Sequence, residues 1–214
     1  MRPTNVVLIV MIALTLLAAP AGATMSYYSN QTSWEAATSN VFTITFDDPS
    51  VTTYADYTAT GLHLYEPVVF TATDYLAVYD ADWASSGHGV PAAWTGDYLL
   101  GSGWGKNIEA VLPAGVYAVA AEVFTIGFGS NMSFTFSTND AYGPIATALG
   151  ATTFVGFVSD TPIEWVRFSA ASSYTALDNF SYSQIEETPE ASTLLLAGAG
   201  LISLLLARRL RRLC

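Results

Sequence analysis

Carboxylates are the side chains best suited by type to do chemistry in this chain. Asp47-Asp48 follows one alternating apolar segment, and Asp178 sits before Asn179 in another near the far end. Ca²⁺ takes hard carboxylate and carbonyl oxygens, and two or three acids with backbone carbonyls make a site. If the two segments lie side by side in a sheet, Asp47, Asp48 and Asp178 form a candidate structural calcium site. A plainer role fits the same residues: Asp47-Asp48-Pro49 as a turn closed by an Asx hydrogen bond, with Asp178 capping a strand end. A further acidic group, Asp80-Ala81-Asp82, lies beside Trp83 but lacks the glycine and distal glutamate of an EF-hand loop. Paired carboxylates also cleave glycosides, at separations of about 5 to 9.5 Å. Acids are so numerous here that accidental pairs are expected.

Aromatic side chains offer a second chemistry. Trp83, Trp94 and Trp104 fall in a Gly- and Ser-rich stretch, with Tyr98 nearby. Exposed rings on loops stack against sugars, presenting a flat apolar face with a polar edge. The same rings could instead plug the end of a β-sandwich. His63 and His88 are the only histidines and have no spaced partners, so zinc chemistry has no ligand set. The Gly-x-Ser-x-Gly and His-Glu-x-x-His motifs and a phosphate-binding glycine loop with its lysine are all absent from the sequence.

The elements that must position these groups are mostly strands. Thr32-Ser33-Trp34-Glu35 fits a capping box and predicts one short helix, ended by Thr38-Ser39-Asn40. After it come alternating apolar segments at 41–46, 62–65, 68–71, 75–79, 98–100, 107–112, 116–124, 132–137, 152–158, 163–168 and 176–182. Pro113-Ala114-Gly115 reads as a turn. Short strands rich in aromatic and β-branched residues, separated by Gly and Pro, predict an all-β antiparallel β-sandwich rather than an α/β fold.

Both ends of the chain read as processing segments. Arg2 precedes an apolar run at 6–19, then Pro20 and Ala21-Gly22-Ala23, the pattern of a signal peptide over residues 1–23 cut after Ala23 by signal peptidase. At the other end an apolar stretch at about 191–207 is 17 residues long and carries Arg208, Arg209, Arg211 and Arg212 after it. As a helix it would extend about 25 Å, enough to cross a membrane if the arginines reach the boundary. The positive end then stays cytoplasmic and the domain at 24–187 lies outside.

That middle domain holds two basic residues, Lys106 and Arg167, against seventeen acids, a formal charge of −15. Such a charge excludes nucleic acid and anionic membrane surfaces as partners, and leaves divalent cations and neutral glycans. The only cysteine is Cys214, so a core or bound ions must hold the domain without disulfides.

Thr188-Pro189-Glu190-Ala191-Ser192-Thr193, the apolar stretch and the arginine cluster together resemble the PEP-CTERM sorting signal of Gram-negative bacteria that make extracellular polysaccharide. The family pattern has a second proline where this chain has Ala191. The resemblance implies an exosortase, a membrane protease-transpeptidase, as partner, with cutting near Pro189-Glu190. It also implies a transient stay in the inner membrane, followed by the cell surface or secretion. Thr153-Phe154-Val155-Gly156-Phe157-Val158-Ser159, Pro162-Ile163, Val166-Arg167-Phe168 and Ala176-Leu177-Asp178-Asn179-Phe180-Ser181-Tyr182 resemble ectodomains that precede such tails. They imply a jelly-roll-like sandwich and no activity. The expected protein is a non-enzymatic one associated with exopolysaccharide. A polysaccharide hydrolase and a ligand-free matrix protein are the alternatives.

Overall fold

The structure, a computed structural model, describes residues 24–47, 54–57, 67–80, 98–101, 106–126, 129–148 and 151–184. The expected signal peptide, transmembrane stretch and segment 62–65 lie outside these residues. No helix among the described residues is long and apolar enough to cross a membrane.

As the alternation predicts, the fold is all-β and antiparallel. The strands are β1 (Met25–Tyr28), β2 (Val41–Ile44), β3 (Tyr54–Asp56), β4 (Val69–Ala72), β5 (Leu76–Tyr79), β6 (Tyr98–Gly101), β7 (Asn107–Val111), β8 (Val116–Ile126), β9 (Ser130–Phe136), β10 (Ala141–Thr147), β11 (Thr153–Ser159), β12 (Trp165–Ala170) and β13 (Tyr174–Gln184). One sheet runs β1-β11-β8-β13-β6-β5-β3, with β2 also paired to β13; the other runs β10-β9-β12-β7-β4.

The two sheets pack face to face through their alternate residues. On β9, Met132, Phe134 and Phe136 are buried while Asn131, Ser133 and Thr135 face water. Phenylalanines from the two sheets meet as a continuous chain of rings. Phe46 contacts Phe70 at 5.2 Å, Phe70 contacts Phe180 at 5.2 Å, and Phe180 contacts Phe168 at 6.2 Å. Phe134 joins Phe168 at 5.6 Å to Phe157 at 5.2 Å. Most of these are edge-to-face contacts, the arrangement ring quadrupoles favour. They tie the sandwich together where no disulfide can.

Three features depart from the sequence expectation. The short helix α1 (Gln31–Ala36) starts earlier than the capping box implies, because Asn30 is the N-cap and its side chain accepts from the Ser33 N–H at 3.1 Å. Asparagine caps as well as threonine, and Glu35 instead accepts from Gln31 at 2.8 Å. Phe42 alternates with Ile44 and Phe46 in the sequence but does not share their burial: it is 49% exposed and stacked on Tyr182. Strands β1, β3 and β10 were not anticipated.

Candidate functional site

Helix α1 docks on the outer face of the larger sheet through one side chain. Trp34 is fully buried against Ala118 and Ala120 of β8, and its indole N–H donates to the Phe157 carbonyl at 3.3 Å. Gly156 on β11 leaves room for the ring: a Cβ there would lie 2.6 Å from Trp34 Cδ1. Outward-facing small residues on adjacent strands thus form the trough that holds the helix.

Beside that trough the face becomes polar. Glu122 points outward from β8, opposite Phe154 of β11 on one side and Asp178 of β13 on the other. Between Asp178 and Ser181 the pairing with β8 shifts: three steps on β13 match the two from Glu122 to Ala120. The extra residue makes a β-bulge, and Asn179 absorbs it with φ +48. That left-handed backbone is uncommon outside glycine, though asparagine tolerates it best. The bulge falls where β13 changes neighbours, from β6 at 175–177 to β2 at 180–183.

The bulge aims the Asn179 amide at Glu122, with Nδ2 donating to Oε2 at 3.1 Å. Ser181 Oγ donates to the Asn179 carbonyl at 3.2 Å and lies 2.8 Å from Thr43 Oγ1 of β2. These four residues form the polar side of a pocket of about 180 Å³, closed by Phe154, Trp34 and Gln31. At about 30 Å³ of liquid per water, it holds roughly six waters or one small polar ring. Phe154 and Trp34 meet edge to face at 6.3 Å, giving the pocket an aromatic wall. Amide, hydroxyl and carboxylate groups around an aromatic wall match a hydroxyl-rich, uncharged ligand.

The residues singled out in the sequence lie elsewhere or outside the described residues. Asp48, Trp83, Trp94, Trp104, His63 and His88 lie outside, as do Ala23, Pro189, Glu190, Arg208, Arg209, Arg211 and Arg212. Tyr98 opens β6. The pairing of β2 with β13 does bring the segment ending in Asp47 alongside the strand that carries Asp178. Asp47 is exposed there and Asp178 is buried. Among the described residues no three His, Cys, Asp or Glu side chains converge as metal ligands would. Sequence reading missed Glu122, Asn179, Thr43 and Ser181 as site residues. Two signals were available: a lone acid inside the apolar run of β8, and Asp178-Asn179 breaking the alternation of β13.

No curated protein matches the chain. Among solved structures, it is similar to the CBM22-1 xylan-binding domain from Paenibacillus barcinonensis Xyn10C, with 10% identity and a TM-score of 0.34 over 69% of this chain and 95% of that one. Residues 187–212 match the PEP-CTERM protein-sorting motif. The chain therefore carries the PEP-CTERM sorting signal, and is an exported protein sorted by an exosortase to the surface or the medium.

Proposed function

We propose that the exported sandwich is a non-enzymatic module that binds neutral sugar residues of the extracellular polysaccharide. The observation that carries this reading is the pocket where Glu122, Asn179, Ser181 and Thr43 converge beside Phe154. Hydroxyl-rich ligands need donors and acceptors in fixed positions next to an apolar ring face, and this arrangement supplies both. Among the described residues that line the pocket, Glu122 is the single carboxylate. Glycoside hydrolysis of the usual kind needs two, which favours binding over turnover. Trp83, Trp94 and Trp104, with Tyr98, remain part of the proposal as further stacking positions.

Glycan-array binding by the processed protein tests it. Binding without turnover that is lost in Glu122→Ala, with the melting temperature kept, supports the pocket. Release of reducing ends from the bound polysaccharide would replace the proposal with a hydrolase, and no glycan bound at all would leave a matrix protein without a specific ligand.

A structural calcium ion at Asp47, Asp48 and Asp178 is a second proposal, favoured by the β2–β13 pairing. Bound calcium would raise the melting temperature, by mass action, as its concentration passes the dissociation constant. A melting temperature indifferent to both calcium and chelator sinks it.

A further inference from the structure

Asp160 follows β11 and faces Thr24, the residue just before β1. Its carboxylate accepts from one residue twice: from the Thr24 backbone N–H at Oδ1, 2.9 Å, and from Thr24 Oγ1 at Oδ2, 2.8 Å. The Asp160 backbone N–H donates in return to the Thr24 carbonyl at 3.3 Å. These bonds from Thr24 hold the Asp160 carboxyl below its ordinary range, so it is ionised at neutral pH. Immediately beyond, Met25 pairs with Ser159 and the β1–β11 ladder begins.

Thr24 is also the residue after Ala21-Gly22-Ala23. Hydrolysis of the Ala23–Thr24 peptide bond consumes one water, leaves a carboxylate on Ala23, and leaves an α-ammonium on Thr24. The nitrogen that donates to Asp160 as an amide would then carry a full positive charge and three protons. Charge-assisted bonds to a carboxylate are roughly twice as strong as neutral ones.

We propose that Asp160 is the receptor for the processed N-terminus: signal peptidase cuts between Ala23 and Thr24, and the new α-ammonium pairs with the Asp160 carboxylate to pin β1 onto β11. The device has a job in this fold. β1 is a four-residue strand at the edge of its sheet, where strand ends fray. It carries Tyr27, which stacks on Tyr142 of the opposite sheet at 4.3 Å and contacts Phe157 at 5.6 Å. Holding β1 therefore closes one open side of the sandwich. The precursor, with an amide at this position, lacks the ion pair, so the clamp reaches full strength after export and cutting.

N-terminal sequencing and intact mass of the protein exported from a Gram-negative host test the first half. The expected first residue is Thr24, and any other start overturns the proposal. Melting curves test the second half. Asp160→Asn should lower the melting temperature of the processed protein by about 2 to 4 °C. In a chain with Gly-Ser inserted after Ala23, which moves the ammonium away and keeps the amide, the same substitution should lower it by less than half as much. Equal losses in the two backgrounds overturn the ion pair. Selective acetylation of the α-amine at mildly acidic pH removes the charge and leaves Asp160 intact. It should lower the melting temperature of the wild-type protein and leave Asp160→Asn unchanged; an unshifted wild-type protein overturns the proposal.

Discussion

Asn179 combines two constraints that rarely meet in one residue: a left-handed backbone within a strand and a side chain committed to a neighbouring carboxylate. Holding such a conformation costs on the order of 1–3 kcal/mol in an ordinary residue, and it persists where the surroundings enforce it. Glycine removes the backbone cost, while alanine keeps it and loses the amide. Asn179→Gly is therefore expected to stay close to wild-type stability while losing sugar binding. Asn179→Ala should lose binding and about 1 kcal/mol or more of stability as well. Urea denaturation of both variants, paired with retention on the polysaccharide, separates the two effects. Equal stability in the two variants would show that the bulge does not depend on the left-handed conformation. Asp178-Asn179 interrupts the alternation of β13 in the sequence, but neither the left-handed backbone of Asn179 nor its bond to Glu122 is legible there. Its geometry comes from the extra residue that β13 inserts opposite β8.

At the scale of elements, legibility followed how much of the core a strand faces on one side only. Strand β9 shows strict alternation and was read almost to its ends, because one face is packed and the other wet. Strand β10 shows no clear alternation in the sequence; its register with β9 shifts between Tyr142 and Ile145, across Gly143-Pro144, and the strand continues past them. Strand β1, Met-Ser-Tyr-Tyr, is too short to show a period, and pairing with β11 makes it a strand. Helix α1 was legible as a helix, but its docking was not, since the trough comes from Ala118, Ala120 and Gly156 on two strands distant in sequence. That docking gives a sharp test. Gly156→Ala drives a methyl into the Trp34 ring, a rigid neighbour with little room to yield. Overpacking of this kind typically costs about 1–3 kcal/mol. The loss should appear as a lower denaturation midpoint, and it should shrink when Trp34 is replaced by Leu in the same chain. Because the two residues touch, their effects should be non-additive. Additive losses would mean that the ring moves aside freely.

Across the whole molecule, charge and processing are coupled. At 24–187 seventeen acids stand against two basic residues, and the four tail arginines lie within the matched sorting motif, with Cys214 just beyond it. An exosortase cut near Pro189-Glu190 would detach those arginines and leave a product with a formal charge near −15 and no sulfhydryl group. Neither of the two remaining cations makes a basic patch: Arg167 is paired with Glu109 and stacked over Trp165 at 4.3 Å, and Lys106 is the other. Attachment to the matrix would then come from hydrogen bonds and ring contacts with uncharged sugars, such as the pocket around Glu122 and Asn179 offers, since so acidic a domain gains nothing from an anionic polymer. Replacing Pro189 and Glu190 by Ala should abolish cutting. The uncut protein should sediment with the inner membrane and keep Cys214, whereas the wild-type product should lack every residue from Arg208 onward by intact mass. Recovering Cys214 in the extracellular wild-type product would show that the tail is an anchor that stays. The acidic domain would then be tethered at its C-terminal end instead of being free to diffuse into the polysaccharide.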